Sequence, residues 1–227
     1  MEDTKVMSID EEIELFFKDP GIRTPVKDSS TLHLLRRDIY SCMGYINDDN
    51  KNEWIKCDKK DPTRWPGAMV ILAGIDLLGK FYVGNDKLRK VAERFKAYYN
   101  KYIAPYDEYN DEQNAEIVYQ LRNSLLHSFG LYSIDTFNSK IYHFNVCLNN
   151  NRLIEKCSEK LHEKHEDKEY TILFYRIDIG ILHDLFEGSI EKYKSDLMED
   201  KTEMEDKAEM RNKFYKMFKN YGNAPDF

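Results

Sequence analysis

Hydrophobic and polar positions follow a helical period over most of the chain. Residues 8–17 predict a short helix, with Ser8 as N-cap and Glu11 completing an S-x-x-E capping box, closed by Asp19, Pro20 and Gly21. Ser30 or Thr31 can cap the next helix, in which Leu32, Leu35, Ile39, Met43 and Ile46 recur at helical spacing. Residues 47–64 are polar, rich in Lys and Asp, and carry Pro62, which predicts a loop anchored by Trp54 and Trp65. Pro66 suits the first turn of a helix running to about residue 82; apolar nearly all round, it reads as central and buried. After the break at Gly84 and Asn85, Leu88, Val91, Phe95, Tyr98, Tyr99 and Tyr102 mark another helix before Pro105. Asn110 as cap, with Gln113 in the capping-box position, predicts a helix over 111–129.

Beyond Gly130 the period changes. Residues 131–135 and 140–148, rich in aromatic and β-branched side chains, predict a hairpin around Phe137, Asn138 and Ser139, and 169–178 a third strand. Between them 155–168 is densely charged, a solvated helix or loop. Two further helices are expected within 179–221, with a tail fraying from Gly222 to Phe227. Without a repeat or a sharp compositional break, 1–227 reads as one domain: a mainly α body with a small antiparallel β-sheet and additional C-terminal helices.

Composition narrows the function classes. With 41% hydrophobic and 13% aromatic residues the chain can offset the entropy of ordering, so it should fold. The longest apolar stretch, 68–78, is interrupted by Gly74 and Asp76, so no membrane span is expected. Four separated cysteines (42, 57, 147 and 157) and a polar start, MEDTKVMSIDEE, suggest free thiols in the cytoplasm. A net charge of −7 means that a nucleic acid would have to be met by a local cationic site.

Two motifs favour bland readings. Residues 74–81, GIDLLGKF, match a phosphate-binding Walker A loop except that Phe81 stands where Ser or Thr would hold magnesium, and Leu77 and Leu78 continue a core pattern. Cys157, His162 and His165 are metal-ligand types, but they lie among alternating Glu and Lys with no second pair to complete a tetrahedral site, so no metal or other cofactor is expected. His33, near a helix N-terminus, His143, on a strand, and His183, on a helix, read as structural.

The informative stretch is 116–127, EIVYQLRNSLLH. At about 100° per residue, Glu116, Gln120, Asn123 and His127 fall within about 60° of one another, bordered by Ile117, Leu121 and Leu125 on one flank and Tyr119 and Leu126 on the other. Such a stripe suits a cleft or a subunit seam; a solvated helix face is the other reading. Arg122, Asn123 and His127 also stand as R-N-x-x-x-H, which resembles the signature of the HEPN superfamily (higher eukaryotes and prokaryotes nucleotide-binding domains), over residues 31–133. The resemblance implies a HEPN-like helical bundle at 31–133, elaborated by the sheet at 134–178 and helices at 179–221. It further implies a metal-independent endoribonuclease leaving 2′,3′-cyclic phosphate ends, a homodimer with facing motifs, and a toxin or defence role with an antitoxin as partner. The alternative is a non-catalytic dimeric HEPN-like module binding a nucleotide or protein, which the net acidity favours.

The residue types fit the chemistry. Imidazole titrates near neutrality, which makes His127 the proton handler. Guanidinium carries a permanent charge and can grip a phosphate with two bonds, which makes Arg122 the anion stabiliser. Asn123, four residues before His127, can orient the imidazole or the phosphate. Arg122 and His127 lie about 140° apart on an ideal helix, so their convergence on one RNA atom is expected only across a dimer.

Overall fold

In the computed structural model, residues 7–22, 24–48, 51, 53–57, 61–165, 168–198 and 204–223 are described, apart from the side chains of 159–165, 168, 204 and 205. Helix α1 (Ile9–Phe16) carries the expected capping box: Glu11 N–H donates to Ser8 Oγ at 3.3 Å and Ser8 N–H to Glu11 Oε2 at 2.7 Å. Helix α2 (Thr31–Cys42) is capped by Ser30, whose hydroxyl accepts from His33 N–H at 3.0 Å. Gly44, with φ +88°, turns the chain out of α2. The segment expected as a loop instead contains two antiparallel strands, β1 (Tyr45–Asp48) and β2 (Glu53–Lys56), and Ile46 belongs to β1 with 48% of its surface exposed. Trp54 is an anchor, its ring 5.6 Å from Tyr40; Trp65 is exposed and is not.

Helix α3 (Arg64–Val83) is the axis of the fold, with α2 and the later helices packed around it. By length and composition it is the one helix among the described residues that could cross a bilayer, but 56% of that stretch is buried inside the protein. Its glycines allow close approach: a Cβ on Gly74 would meet the Phe186 ring at 2.5 Å, and one on Gly79 the Arg94 carbonyl oxygen at 2.8 Å. The Walker-like residues are therefore interior helix, with Lys80 lying over the Tyr221 ring.

The single helix expected over 88–102 is divided. A 3₁₀ turn leaves Leu88 exposed, α4 (Val91–Tyr98) follows, and the chain closes in a π turn at Tyr99–Ile103 and a 3₁₀ turn at Ala104–Tyr106. Helix α5 (Asn114–Ser128) starts later than expected. Asp107 and Asp111 carboxylates accept from the backbone N–H groups of Tyr109 and Gln113, so 107–113 forms turns and the Asn110–Gln113 capping box is absent.

The sheet holds β3 (Tyr132–Asp135), β4 (Lys140–Cys147), β5 (Ile154–His165) and β6 (Lys168–Asp178) in the order β3-β4-β6-β5. The β3–β4 hairpin forms as expected. Two corrections follow: the charged stretch 155–168 lies largely in strand β5, and the sheet is mixed, because β4 and β6 run parallel. Strand β6 is apolar on both faces, with Leu173, Tyr175 and Ile177 in the main core and Ile172 and Phe174 in a separate small cluster, so it takes an interior place. The Lys- and Glu-rich β5 is left at the edge, where charge discourages pairing with another chain. Helices α6 (Ile179–Met198) and α7 (Met204–Tyr221) complete a mainly α architecture. Gly222 and Asn223 do not fray: Thr31 N–H donates to Gly222 O at 2.9 Å and Asn223 bridges to Ser30, while 224–227 lie outside the described residues.

His33 is fully buried, its ring 3.4 Å from both Thr24 Oγ1 and the Lys18 carbonyl. Burial pushes its pKa below the ordinary value, and the charges of Arg37, Lys18 and Arg36 add to that. As pH falls below about 6.5 the unfolded chain takes up this proton first, so stability is lost from there down to the depressed native pKa. Melting temperature measured against pH should therefore fall less steeply over that window in His33→Gln than in wild type. Identical slopes would contradict this.

Candidate active site

Helix α5 packs Ile117, Val118, Leu121 and Leu125 inward and carries the polar stripe on another face. The stripe divides in two. At its N-terminal end Glu116 accepts from Lys96 Nζ at 2.5 Å and from Gln120 Nε2 at 2.7 Å, and the buried Gln120 accepts from Ser133 Oγ at 2.6 Å. That half is a seam binding α4, α5 and β3. At the other end the face opens, with Asn123 half-buried and His127 exposed in the last turn.

Arg122 lies at the junction, 8% exposed. Its Nη1 donates to His127 Nε2 at 2.6 Å and to Asn123 Oδ1 at 3.3 Å, and its Nη2 donates to Asp76 Oδ2 at 2.8 Å. The three motif residues therefore converge within one chain. The angular argument for convergence across a dimer is overturned: about 140° separates the Cα–Cβ directions, but the long arginine side chain spans that offset and its Nη1 reaches the ring nitrogen. Guanidinium can only donate, so His127 Nε2 accepts and the ring proton sits on Nδ1.

The sequence reading missed two participants. Asp76, on α3, also forms an ion pair with Arg94 of α4, Oδ1 to Nε at 3.4 Å, and Arg94 Nη1 donates to the Lys87 carbonyl at 2.8 Å. The side chains of Arg94, Arg122 and Asp76 are 3%, 10% and 14% exposed. Two guanidinium groups share the Asp76 carboxylate, and Arg94 also acts on the Asp86 carboxylate, whose pKa it helps the Tyr221 hydroxyl to lower. A signal for Asp76 existed: it is the one acidic residue in a mostly apolar helix, and a carboxylate in such a setting needs a cationic partner.

The remaining candidates sit elsewhere. His143 stacks on Phe174 in the sheet, and His183 is buried in α6 with its ring edge-on to Tyr40. Cys157 Sγ lies 3.7 Å from the Glu155 carbonyl, and the side chains of His162 and His165 are outside the described residues. Among the described residues no three His, Cys, Asp or Glu are grouped to hold a metal ion. Compared with protein-family models, curated proteins and solved structures, the chain finds no match in any of the three.

Proposed function

We propose that this protein is a metal-independent endoribonuclease of HEPN type, acting as a toxin or defence effector in the cytoplasm, where its free thiols stay reduced. The observation that carries this is the contact between Arg122 Nη1 and His127 Nε2, held from beneath by Asp76. The phosphate draws Arg122 Nη1 off His127 Nε2, and the freed nitrogen takes the proton of an RNA 2′-hydroxyl; the 2′-oxygen attacks the adjacent phosphorus, and the bond from phosphorus to the 5′-oxygen breaks. Arg122 stabilises the dianionic phosphorane, and Asn123 orients the phosphate. The products are a 2′,3′-cyclic phosphate and a 5′-hydroxyl.

The leaving 5′-oxygen needs a proton while His127 is accepting one. A second copy of the chain, with its own exposed His127, supplies that acid, and this makes the active species a homodimer. Sedimentation at tens of micromolar should give about twice 27.0 kDa. A strict monomer would remove the second proton handler from the mechanism.

A second reading, the non-catalytic dimeric binding module, is favoured by the engagement of Arg122, whose Nη1 and Nη2 already bond three side chains of its own protomer. Total RNA incubated with the purified protein separates the two. Cleavage that persists in EDTA supports the nuclease; RNA left intact supports the module.

A further inference from the structure

The start of α6, the end of α2 and the strand residues Tyr45 and Lys56 enclose a cavity of about 450 Å³. Met43, Tyr45, Leu148 and Ile181 give it an apolar lining, while Lys56, Asn150, His183 and Asp184 bring polar groups to it. Two of these polar groups have nothing to bond among the described residues. His183 is 4% exposed and its Nε2 is buried without a hydrogen-bond partner, and the Nδ2 of Asn150 is left in the same way. Buried polar groups are almost always paired, because an unmade hydrogen bond costs the fold stability.

The surroundings of both groups are built. Asp178, 1% exposed, accepts from Asn150 N–H at 2.6 Å and, at the start of α6, from Ile181 N–H at 2.9 Å. Gly180 lets this corner close, since a Cβ there would meet Asp178 Oδ1 at 3.1 Å and Leu148 Cδ2 at 3.4 Å. The His183 ring is held edge-on to Tyr40, and its Nδ1 lies 3.3 Å from Asp184 Oδ1. A carboxylate can only accept, so Nδ1 carries the ring proton and Nε2 is left as an acceptor.

An occupant must therefore offer a donor to His183 Nε2 and an acceptor to Asn150 Nδ2. The ammonium of Lys56 and the carboxylate of Asp184 both stand at the cavity, so an ion of one sign alone would meet a like charge. Its remaining surface must be apolar, to match Met43, Tyr45, Leu148 and Ile181. A zwitterion with a hydrocarbon arm meets all three demands. We propose that this cavity binds a free α-amino acid with an apolar side chain, its ammonium facing His183 Nε2 and Asp184, its carboxylate facing Asn150 Nδ2 and Lys56. The two unpaired groups are kept at a cost to the fold because they serve the ligand. Arg122, Asn123 and His127 do not line the cavity, so the site stands independently of the endoribonuclease proposal.

The probes are L-leucine, L-methionine and L-phenylalanine, titrated separately at millimolar concentration into the full chain in a calorimeter. At least one should bind, with one molecule per chain. Its amine analogue, which lacks the carboxylate, and its N-acetyl derivative, whose nitrogen carries no charge, should each bind about tenfold more weakly, the cost of one unmade charged hydrogen bond. His183→Phe, which keeps a ring against Tyr40 but removes the acceptor, and Asn150→Ala, which removes the donor, should each weaken binding by a similar factor. His183→Phe should also melt no lower than wild type, a combination that a merely structural histidine would not give. Lys51→Gln, on the β1–β2 turn and outside the cavity, should bind as wild type does. No heat from any of the three amino acids means a cavity filled by water alone and overturns the site. Wild-type affinity in His183→Phe and Asn150→Ala, or analogues that bind as tightly as the parent amino acid, overturns it as well.

Discussion

Replacing His127 with alanine is expected to lower RNA cleavage about 10²–10⁴-fold, the usual contribution of a positioned acid or base. The same variant should unfold within about 0.5 kcal/mol of wild type, because His127 is exposed and Arg122 keeps its bond to Asp76 when the ring is removed. This separation of activity from stability distinguishes a catalytic imidazole from a structural one. Arg122→Ala should also abolish cleavage, but with a loss of stability, since it strips Asp76 of one of its two partners. Lys80→Ala, in the Walker-like segment, should leave cleavage unchanged, because Lys80 lies over Tyr221 and takes no part in the site. Cleavage rates and urea unfolding of the four proteins, measured side by side, check all of this. A folded His127→Ala that cuts RNA at the wild-type rate would refute the catalytic role of the ring.

The largest effect on stability is expected at Asp76. Asp76→Ala leaves two interior guanidinium groups without their carboxylate, and breaking a buried ion pair from one side costs about 3–5 kcal/mol. Cleavage should fall as well, because Arg122 then loses the Asp76 bond that fixes its guanidinium beside the imidazole. The cause can be isolated with a second substitution. Arg122→Met in the Asp76→Ala background removes one of the stranded charges, so the double variant should be less destabilised than the two single losses added together. Urea midpoints of the two single variants, the double variant and wild type provide the cycle. A loss below about 0.5 kcal/mol in Asp76→Ala would mean that the shared carboxylate does not hold α3, α4 and α5 together.

The contrast between Asp76 and His127 shows which parts of the site could be read from the chain. Arg122, Asn123 and His127 lie within six residues on one helix, so local spacing brings them to attention. Asp76 and Arg94 are joined to them only by the packing of three helices, a contact that no local period records. The same division runs through the fold. Ser8 with Glu11, and Pro66 at the start of α3, are local signals and were legible. Strand β5 was not: its Glu and Lys residues follow from its place at the sheet edge, which depends on β6 pairing parallel with β4 across a distant connection. The β1–β2 hairpin was hidden in the same way, since exposed polar strands lack the alternation that marks a half-buried sheet. The late start of α5 turned on Asp107 and Asp111, whose carboxylates bond nearby backbone groups in competition with the cap expected at Asn110.

The most direct test is the chemistry of the cut ends. Total RNA incubated with the wild-type protein in EDTA should yield fragments ending in 2′,3′-cyclic phosphate and beginning with 5′-hydroxyl, the products of attack by the neighbouring 2′-oxygen. RNA recovered intact, or cut to 3′-hydroxyl and 5′-phosphate ends, would contradict His127 as the base and Arg122 as the anion stabiliser.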